Sequence, residues 1–532
     1  MTPRERVTTL FELVDESAAI DPDAEALVFA DGERLTVGAL AERSVRHAAA
    51  LLALGVAAGD RVALLLPASA DLVALLLAVT RVGAVAVPVN ARYRPAEVRH
   101  VVVHSGAALV VCAPAPTPGA PDLADLARSA VAEGPTPELR ALVTLNELGE
   151  HTPDPAAVAD AQAGTRVRDP AVLVYTSGTT AAPKGALLAH EALVRLAAGI
   201  AARMALTPAD RIWTAIPLFH GGGITFAFAA LTARAAFVHP GHFDPTTTPA
   251  LLEAERITVA LAAFETIWLP VLDRPDWPDR DLSRIRLVMA VGVPERLRMM
   301  AARVPQAVHV SCVAMTESSA FLALGRLDDP LEARLTTGGH PMPGMRCRVV
   351  DPETGADLPP GTPGELLFRG PTAFDGYFRD PAATAATIDP QGWVLTGDVV
   401  TVDAEGRVTF RSRLKDMLKV GGENVSAAEI EDHLLGHPAV GVVAVVAAPD
   451  ARYVEVPAAF VQLAPGASAT AEELVAHCTG RIASFRVPRY VRFVTEWPMS
   501  GTKIRKVELR ARIADELAAA GVTEAPRVGS RA

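Results

Sequence analysis

A run of small and hydroxyl-bearing residues that ends in a lysine is the segment of this sequence best suited to chemistry. It begins at Tyr175, directly after the apolar residues 172–174, and reads Tyr-Thr-Ser-Gly-Thr-Thr-Ala-Ala-Pro-Lys-Gly. Small residues let backbone N–H groups converge on a phosphate, hydroxyl groups add donors, and Lys184 adds a positive charge. Pro183 stands where a Walker loop requires a glycine before its lysine. The segment therefore predicts a phosphate-binding loop of another kind, with a solvated turn as the alternative for such a run on its own.

Six further motifs follow this loop along the chain. They are Ile-Pro-Leu-Phe-His-Gly-Gly at 216–222, Met-Thr-Glu at 315–317, Leu-Thr-Gly-Asp at 395–398, Arg-Leu-Lys-Asp at 413–416, Lys-Val-Gly-Gly-Glu-Asn-Val at 419–425 and Pro-Met-Ser-Gly-Thr-Lys at 498–503. With the loop, they resemble the adenylate-forming superfamily of acyl-CoA synthetases, nonribosomal adenylation domains and luciferases. The resemblance covers the chain from about residue 11 to about residue 510, and the agreement of several motifs in order is far more specific than any single match.

The resemblance implies an AMP-forming acid–thiol ligase. Such an enzyme uses ATP to convert a carboxylic acid to its acyl-AMP and then transfers the acyl group to coenzyme A, so ATP, Mg²⁺ and coenzyme A are the expected cofactors. Two anions must meet in the first step, which requires cations and oriented donors. Two alternatives change only the acceptor, to a carrier-protein thiol or to nitrite activation for diazotising an arylamine. A non-catalytic nucleotide-binding relative is the alternative of another class, and the presence of Lys184, Glu317 and Lys503 argues against it.

The resemblance also assigns roles to single residues of the N-terminal motifs. Glu317 resembles the family's Mg²⁺ ligand, as suits a hard cation that bridges phosphate oxygens, and Thr176 is expected beside the same ion. Thr316 is expected to donate to the α-phosphate, while Asp398 and Arg413 are expected to hold the ribose. The predicted catalytic residues are Lys503, Thr316, Glu317 and His220. The predicted nucleotide- and cofactor-binding residues are Thr176, Ser177, Gly178, Thr179, Thr180, Lys184, Val313, Ala314, Met315, Asp398, Arg413, Lys415, Gly421, Gly422 and Glu423.

The last motifs imply a moving C-terminal part. Lys503 resembles the lysine that reaches the α-phosphate and the carboxylate during adenylation. Lys415 stands where the family has a hinge, which would let this part rotate between an adenylating and a thioester-forming pose. The loop of Gly421, Gly422 and Glu423 would then line the tunnel for the thiol.

Several positions depart from the family pattern or leave their role open. Val313 and Ala314 replace an aromatic–glycine pair whose ring stacks on adenine, so the contact with adenine is expected to differ. The segment that ends at Lys503 is one residue shorter than usual. Glu265 falls near the family's acyl pocket, where it would read an amino or hydroxyl group of the substrate, cap a helix or pair with an arginine. His220 is expected to border the same pocket as a core, gating or catalytic residue.

The elements that must position these residues follow from apolar periodicity. Residues 62–66, 70–81 and 84–89 form a strand–helix–strand pattern, and its recurrence as far as residue 290 predicts parallel sheets covered on both faces. Turn-punctuated alternation between residues 346 and 412 indicates antiparallel strands. The predicted fold is therefore α/β. A large N-terminal AMP-binding domain (1–412) is expected to contain two layered sheets plus a distorted β-barrel, followed by a smaller mobile α+β C-terminal domain (413–532).

Composition limits the partners of this 532-residue chain. Its 50 Lys and Arg against 61 Asp and Glu give a formal charge of −11, which argues against nucleic acid and favours a small-molecule carboxylic acid bound in a local site. The most apolar segment, residues 72–79, is far shorter than the roughly 20 residues that span a bilayer, so no stable membrane insertion is expected. The N-terminus lacks the apolar run of a signal peptide, which favours a cytoplasmic protein. Monomer and homodimer both remain open.

Overall fold

The computed structural model describes most of the chain. The described residues are 8–115, 122–151, 154–176, 183–420, 423–500 and 503–526, and at residues 415, 423, 424, 500 and 503 only the backbone is described. Helices and strands alternate in the first three hundred residues, and strands dominate from there to residue 463. The sequence pattern predicts this change from alternating helices and strands to mostly strands.

The N-terminal elements form strand–helix repeats. They are α1 (Leu10–Ile20), β1 (Glu25–Phe29), β2 (Arg34–Thr36), α2 (Val37–Ala53), β3 (Arg61–Leu65), α3 (Ala70–Arg81), β4 (Val85–Pro88), α4 (Pro95–Ser105), β5 (Ala107–Cys112), α5 (Leu123–Ala132), β6 (Ala141–Thr144), α6 (Leu145–Gly149), α7 (Pro155–Gly164), β7 (Pro170–Thr176), β8 (Lys184–Ala189), α8 (His190–Arg203), β9 (Arg211–Thr214), α9 (Gly221–Ala233), β10 (Ala236–His239), α10 (Thr248–Ala254), β11 (Val259–Phe264), α11 (Glu265–Leu272), β12 (Leu287–Val291), α12 (Pro294–Arg303) and β13 (Val308–Val310).

The later elements are mostly antiparallel strands. They are β14 (Cys312–Met315), β15 (Ala320–Leu324), α13 (Leu331–Thr336), β16 (His340–Pro341), β17 (Arg346–Val350), β18 (Gly364–Arg369), α14 (Pro381–Thr387), β19 (Val394–Val402), β20 (Val408–Arg413), β21 (Met417–Val420), β22 (Glu423–Ser426), α15 (Ala427–Leu435), β23 (Val440–Asp450), β24 (Val454–Leu463), α16 (Ala471–Cys478), β25 (Tyr490–Phe493), β26 (Met499–Ser500), β27 (Lys503–Ile504) and α17 (Lys506–Ala519). Single-turn 3₁₀ helices lie at Trp277–Asp279, Thr316–Ser318 and Leu414–Asp416.

Two large sheets organise the N-terminal part. The seven-stranded sheet has the order β13-β12-β11-β9-β10-β1-β2, and the six-stranded sheet has the order β6-β5-β3-β4-β7-β8. Every pair is parallel except the edge pairs β1–β2 and β7–β8. The apolar helices α3 and α9 are buried almost throughout and share one core with both sheets, because a helix that is apolar all round needs cover on every face. The α/β prediction is confirmed.

Smaller antiparallel sheets follow the two large ones. One has the order β14-β15-β16 and the other the order β17-β18-β19-β20. In the second, Asp398 of β19 lies opposite Arg413 of β20, so strand register alone brings two predicted site residues together. The turn-punctuated alternation between residues 346 and 412 therefore corresponds to antiparallel strands, as it indicates.

The C-terminal part packs around its own sheet, in which β21, β22, β23 and β24 are joined by β25. Side chains of α15 and α16 fill one core against this sheet, and side chains of α17 fill another. Both cores draw only on residues from Leu418 onward. Strands β26 and β27 form a short hairpin that carries the backbone of Lys503. In the described part of the chain, no helix has the length and apolar character needed to cross a membrane.

Candidate active site

The predicted phosphate loop is held between two antiparallel strands. Thr176 is the last residue of β7 and Lys184 is the first of β8, and the two are register partners. The Thr176 hydroxyl donates to the carbonyl oxygen of Lys184 at 3.4 Å. The strand pair therefore places a hydroxyl and an ammonium group side by side. Four predicted loop residues lie outside the described residues, and these are Ser177, Gly178, Thr179 and Thr180.

Tyr377, a tyrosine outside the predicted motifs, lies beside this lysine. The segment around Tyr377 runs along β8, because the Phe378 N–H donates to the carbonyl of Gly185 at 2.8 Å. Gly376 has a φ of +121°, and a Cβ there would lie 2.8 Å from the Thr384 side chain, so glycine is required for this path. The Lys184 ammonium consequently lies 5.1 Å from the centre of the Tyr377 ring, within the range of a cation–π contact.

The same tyrosine reaches the carboxylate predicted to bind Mg²⁺. The Tyr377 hydroxyl donates to Oε1 of Glu317 at 2.7 Å. Burial raises the pKa of Tyr377 above its usual value and the neighbouring Glu317 adds to the rise, so the hydroxyl keeps its proton. The Phe374 N–H donates to the backbone carbonyl of Glu317 at 2.9 Å, which fixes the turn that carries it. Lys184, Tyr377 and Glu317 thus form one cluster, the nucleotide cluster.

Thr316 and Glu317 occupy a single 3₁₀ turn after β14. Thr316 opens this turn, and the buried Ser319 closes it with a φ of +64°, a backbone region that residues other than glycine rarely adopt. The Ser319 hydroxyl donates to the carbonyl of Thr372 at 2.8 Å, which anchors the turn. The turn therefore presents Thr316 and Glu317 together, as the predicted roles require.

The strand that precedes this turn carries three predicted nucleotide-binding residues, of which the first two occupy the position expected near adenine. Val313 is buried, Ala314 is exposed and Met315 is half-buried, all on β14. The pairing of β14 with β15 is irregular between Val313 and Ala314. An alanine has no ring to offer, so an exposed Ala314 cannot supply the aromatic platform expected of the family.

The predicted ribose site is an ion pair between neighbouring strands. Nε of Arg413 lies 2.7 Å from Oδ1 of Asp398, and the Asp398 side chain is 4% exposed whereas that of Arg413 is 40% exposed. The Asp398 N–H donates to the Thr396 hydroxyl oxygen at 3.0 Å, which orders the backbone before it. The carboxylate is therefore oriented by an arginine and remains able to accept further hydrogen bonds from neutral hydroxyls.

His220 lies at the start of α9, on the surface. Its ring centre is 4.5 Å from that of Phe219. One turn into the helix, the Thr225 hydroxyl donates to the carbonyl of Ser319 at 3.1 Å, which ties α9 to the turn that carries Thr316. His220 thus lies at the N-terminal end of a helix that is hydrogen-bonded to the turn carrying Thr316.

Glu265 has a protein partner. It starts α11 at the carboxyl end of β11, and its Oε1 lies 2.8 Å from Nη1 of Arg296. The other oxygen, Oε2, is buried and has no hydrogen-bond partner among the described residues. A Cβ on Gly292 would lie 2.7 Å from Oε2, so glycine permits this close approach. Of the alternatives given for Glu265, the structure contains the arginine pair.

Arg296 also joins the two parts of the chain. Its Nη2 donates to the carbonyl oxygen of Gly441, in the C-terminal part, at 2.7 Å. We refer to Glu265, Arg296 and Gly441 together as the junction cluster. One guanidinium therefore binds the carboxyl edge of the seven-stranded sheet and the C-terminal sheet at once.

The predicted C-terminal site residues are described only in part. The backbones of Lys415, Glu423 and Lys503 lie in the 3₁₀ turn after β20, in β22 and in β27, while their side chains lie outside the described residues. Gly421 and Gly422 lie outside as well. No set of three or more His, Cys, Asp or Glu side chains is spaced to hold a metal in the ranges that the structure covers. A nucleotide-bound Mg²⁺ still fits, because it takes one or two carboxylates and completes its shell with phosphate and water oxygens.

Comparison with known proteins identifies the family. The AMP-binding enzyme profile matches residues 14–378, and the profile of the AMP-binding enzyme C-terminal domain matches residues 429–503. The chain is 33% identical over 533 residues to the putative acyl-CoA synthetase YngI of Bacillus subtilis (strain 168), across 95% of this chain and 97% of that protein. It is 33% identical over 500 residues to feruloyl-CoA synthase of Amycolatopsis sp, across 93% and 97% respectively.

The fold comparison agrees with the sequence comparison. ATP-bound MatB from Rhodopseudomonas palustris superposes with a TM-score of 0.83 at 28% identity, across 96% of this chain and 100% of that chain. The chain therefore belongs to the AMP-binding enzyme family. Within the adenylate-forming superfamily it is an acyl-CoA synthetase-like enzyme, which confirms the resemblance drawn from the motifs.

Proposed function

We propose that this chain is an ATP-dependent, AMP-forming acid–CoA ligase that adenylates a carboxylic acid and transfers the acyl group to coenzyme A. The observation that carries the proposal is the nucleotide cluster, in which one tyrosine holds both a lysine and a carboxylate in a chain of this family. Such a pair suits a reaction in which two anions meet and pyrophosphate leaves.

Each described residue has a task in adenylation. Lys184 faces the phosphates with a positive charge, and Thr316 donates to the α-phosphate. Glu317 and Thr176 would hold Mg²⁺, which would neutralise charge at the phosphate oxygens. Asp398, oriented by Arg413, accepts from the ribose hydroxyls. Val313, Ala314 and Met315 line the adenine with apolar contacts in place of a stacked ring, and His220 borders the acyl entrance.

The C-terminal part supplies a different group of residues for each of the two half-reactions. We propose the domain boundary at residues 412/413, at the last residue of β20 (Val408–Arg413) and ahead of the cores that begin at Leu418. Lys503 brings a second positive charge to the α-phosphate for adenylation, and Lys415 lies at the hinge. After rotation, the loop of Gly421, Gly422 and Glu423 lines the path of the thiol. The loop residues Ser177, Gly178, Thr179 and Thr180 bind the phosphates.

The acid is one that carries a hydroxyl or amino group away from its carboxylate. Glu265 supports this choice, because its Oε2 is a buried acceptor with no partner among the described residues, at the sheet edge where α/β enzymes bind ligands. Arg296 already neutralises the charge of Glu265. A neutral hydroxyl donor therefore fits this position better than an ammonium group does.

A panel of acids incubated with ATP, Mg²⁺ and coenzyme A tests the proposal by mass spectrometry. We expect acyl-AMP when coenzyme A is left out and acyl-CoA, AMP and pyrophosphate when it is present. Parallel arms contain a phosphopantetheinyl carrier protein or nitrite with an arylamine. Adenylation that ends in a thioester only on the carrier protein, or in a diazonium product, would assign the chain to another acceptor. ATP left uncleaved with every acid would refute the ligase.

A further inference from the structure

Two histidines on helix α4 form a stacked pair that has no assigned role in the proposed reaction. His100 and His104 are four residues apart, so they lie on the same face of α4, one turn from each other. Their ring centres are 5.4 Å apart with an angle of 24° between the planes. Both side chains are half-buried. The two stacked rings therefore form one continuous surface on this face of α4.

Each histidine hydrogen-bonds a residue on a different side of the phosphate loop. Nε2 of His100 lies 3.0 Å from the carbonyl oxygen of Pro183, and because a carbonyl only accepts, Nε2 carries the proton. Nδ1 of His104 lies 2.8 Å from the hydroxyl of Tyr175, which is buried. One helix face thus hydrogen-bonds the penultimate residue of β7 and the residue just before β8.

The same face reaches the third segment of the nucleotide cluster. The His104 ring packs edge-on against Phe378 at 6.4 Å between ring centres. Tyr175, Pro183 and Phe378 are the chain neighbours of three site residues, which are Thr176, Lys184 and Tyr377. Each of these three contacts is therefore one residue removed from a residue of the proposed nucleotide site.

We propose that His100 and His104 are positioning residues that set the spacing of Thr176, Lys184 and Tyr377 for the phosphates of ATP. The inference rests on the proposed function. The pairing of β7 with β8 sets the register of the two strand ends. The two hydrogen bonds join helix α4 to both ends, so the helix braces that spacing from outside the sheet. Small errors in the placement of reacting groups are costly, which gives such a clamp a direct effect on adenylation.

Amide substitutions separate the hydrogen bonds from simple packing. A glutamine amide reaches the position of Nε2, whereas an asparagine amide reaches only the position of Nδ1. We therefore expect His100→Gln to resemble the wild type and His100→Asn to be impaired. For His104, whose bond uses Nδ1, the order reverses, with His104→Asn active and His104→Gln impaired. A purely structural role would not reverse the preference between two sites on one helix.

Arg99→Ala is the matched control on the same helix. Arg99 also donates two hydrogen bonds, to the carbonyls of Gly134 and Pro135 at 2.8 Å each, but away from the phosphate loop. We expect this variant to bind ATP as the wild type does. Any loss that comes from weakening α4 as a whole would appear in Arg99→Ala and in the histidine variants alike.

Calorimetric titration with ATP and Mg²⁺, without an acid, is the primary measurement. Loss of one hydrogen bond predicts an affinity about fivefold weaker in the impaired variants. Their KM for ATP should rise by the same factor, while thioester formation from a synthetic acyl-adenylate stays unchanged. Equal ATP affinity in all variants, or a loss without the reversed amide preference, would overturn the inference alone. A wild-type protein that binds no ATP would overturn it together with the proposed function.

Discussion

The nucleotide cluster and the junction cluster use charged residues in opposite ways. In the nucleotide cluster, Lys184 and Glu317 are both held by the neutral Tyr377, and in the described part of the chain neither has an ion-pair partner. In the junction cluster, Glu265 and Arg296 neutralise each other. The difference indicates that the nucleotide cluster can bind a charged ligand. The ring and the hydroxyl of Tyr377 orient Lys184 and Glu317 without neutralising their charges.

The ion pair at the predicted ribose site is intermediate between the two clusters. Asp398 is paired with Arg413, but its proposed ligand is a pair of neutral hydroxyls, which need an oriented acceptor more than an uncancelled charge. Charge cancellation thus follows the charge of the expected ligand at each position. Substitutions at charged positions in the two clusters test that rule.

The largest effect is expected at Lys503, which would add charge to the nucleotide cluster from the C-terminal part. Replacing Lys503 with Ala should slow acyl-adenylate formation by about a hundredfold or more, because a charge aimed at the transition state is lost. Pyrophosphate release measures this step. Thioester formation from a synthetic acyl-adenylate should be nearly unchanged. Equal losses in the two half-reactions would contradict the assignment of Lys503 to adenylation.

Glu317 should show the next largest effect. Replacing it with Gln keeps the shape and removes the charge, and a neutral amide is a poorer ligand for a hard cation. We expect the Mg²⁺ concentration for half-maximal pyrophosphate release to rise by about tenfold. Glu365→Gln, at a buried carboxylate that accepts from the Gly397 N–H at 3.1 Å, is the control. An identical Mg²⁺ titration in the wild type and Glu317→Gln would remove Glu317 from the metal site.

Tyr377 allows its two contacts to be removed separately. Tyr377→Phe keeps the ring beside Lys184 and removes the hydrogen bond to Glu317, so the Mg²⁺ requirement should rise by about threefold while KM for ATP changes little. Tyr377→Leu removes the ring too, and KM for ATP should then rise as well. Steady-state titrations of Mg²⁺ and ATP check both. If Phe and Leu act alike, the ring contributes nothing to the placement of Lys184.

The sequence predicts local elements and motif residues better than the partners that hold them. The strands at 61–65 and 85–88 lie within one residue of the apolar runs at 62–66 and 84–89, because burial repeats with the period of each element. The antiparallel strands at 364–369 and 408–413 match the turn-punctuated alternation predicted between residues 346 and 412 to within one residue. Tyr377 was missed, since its segment has no such period and Glu317 lies 60 residues away in the chain. The one local signal in the sequence is an aromatic residue that directly follows a glycine, Gly376.

The partner of Glu265 shows the same limit. The sequence indicates that a carboxylate there needs a partner, but an arginine 31 positions away becomes that partner only through the packing of α12 beside α11. The second contact of Arg296, to the carbonyl oxygen of Gly441, joins the N-terminal part of the chain to the C-terminal sheet. Long-range register and helix packing, which no local pattern encodes, decide both contacts.

Substitution of Arg296 tests whether the ion pair of the junction cluster contributes more to stability than an exposed ion pair does. Replacing Arg296 with Ala leaves the half-buried Glu265 carboxylate without compensation and removes the contact with Gly441, at an expected cost of about 2 kcal/mol. Arg298→Ala is the matched control, because Arg298 pairs with the exposed Glu295 and Glu332 and should cost about 0.5 kcal/mol or less. Denaturation midpoints in urea compare the two. Equal shifts would show that the junction pair is no stronger than its exposed neighbour.

The smallest effect concerns pH and Asp432, on the helix α15 that faces the junction cluster. Burial raises the pKa of Asp432 to about 7, and repulsion from Glu431, Glu295, Glu265 and Glu429 adds to the rise. In the unfolded chain this carboxyl has a pKa of about 4. Between those values the folded chain holds a proton that the unfolded chain has lost, so the contribution of Asp432 to stability falls as pH rises from about 4 to about 7.

Replacing Asp432 with Asn removes this titration without changing the shape of the side chain. We expect the variant to match the wild type near pH 4 and to be more stable by about 1 kcal/mol at pH 8, measured as the difference in denaturation midpoint across that range. Asp515→Asn, at an exposed position on α17, is the control and should leave the pH profile unchanged. A variant that tracks the wild type at every pH would show that Asp432 is ionised in the folded protein, and the acidic side of the junction would then need another counter-charge.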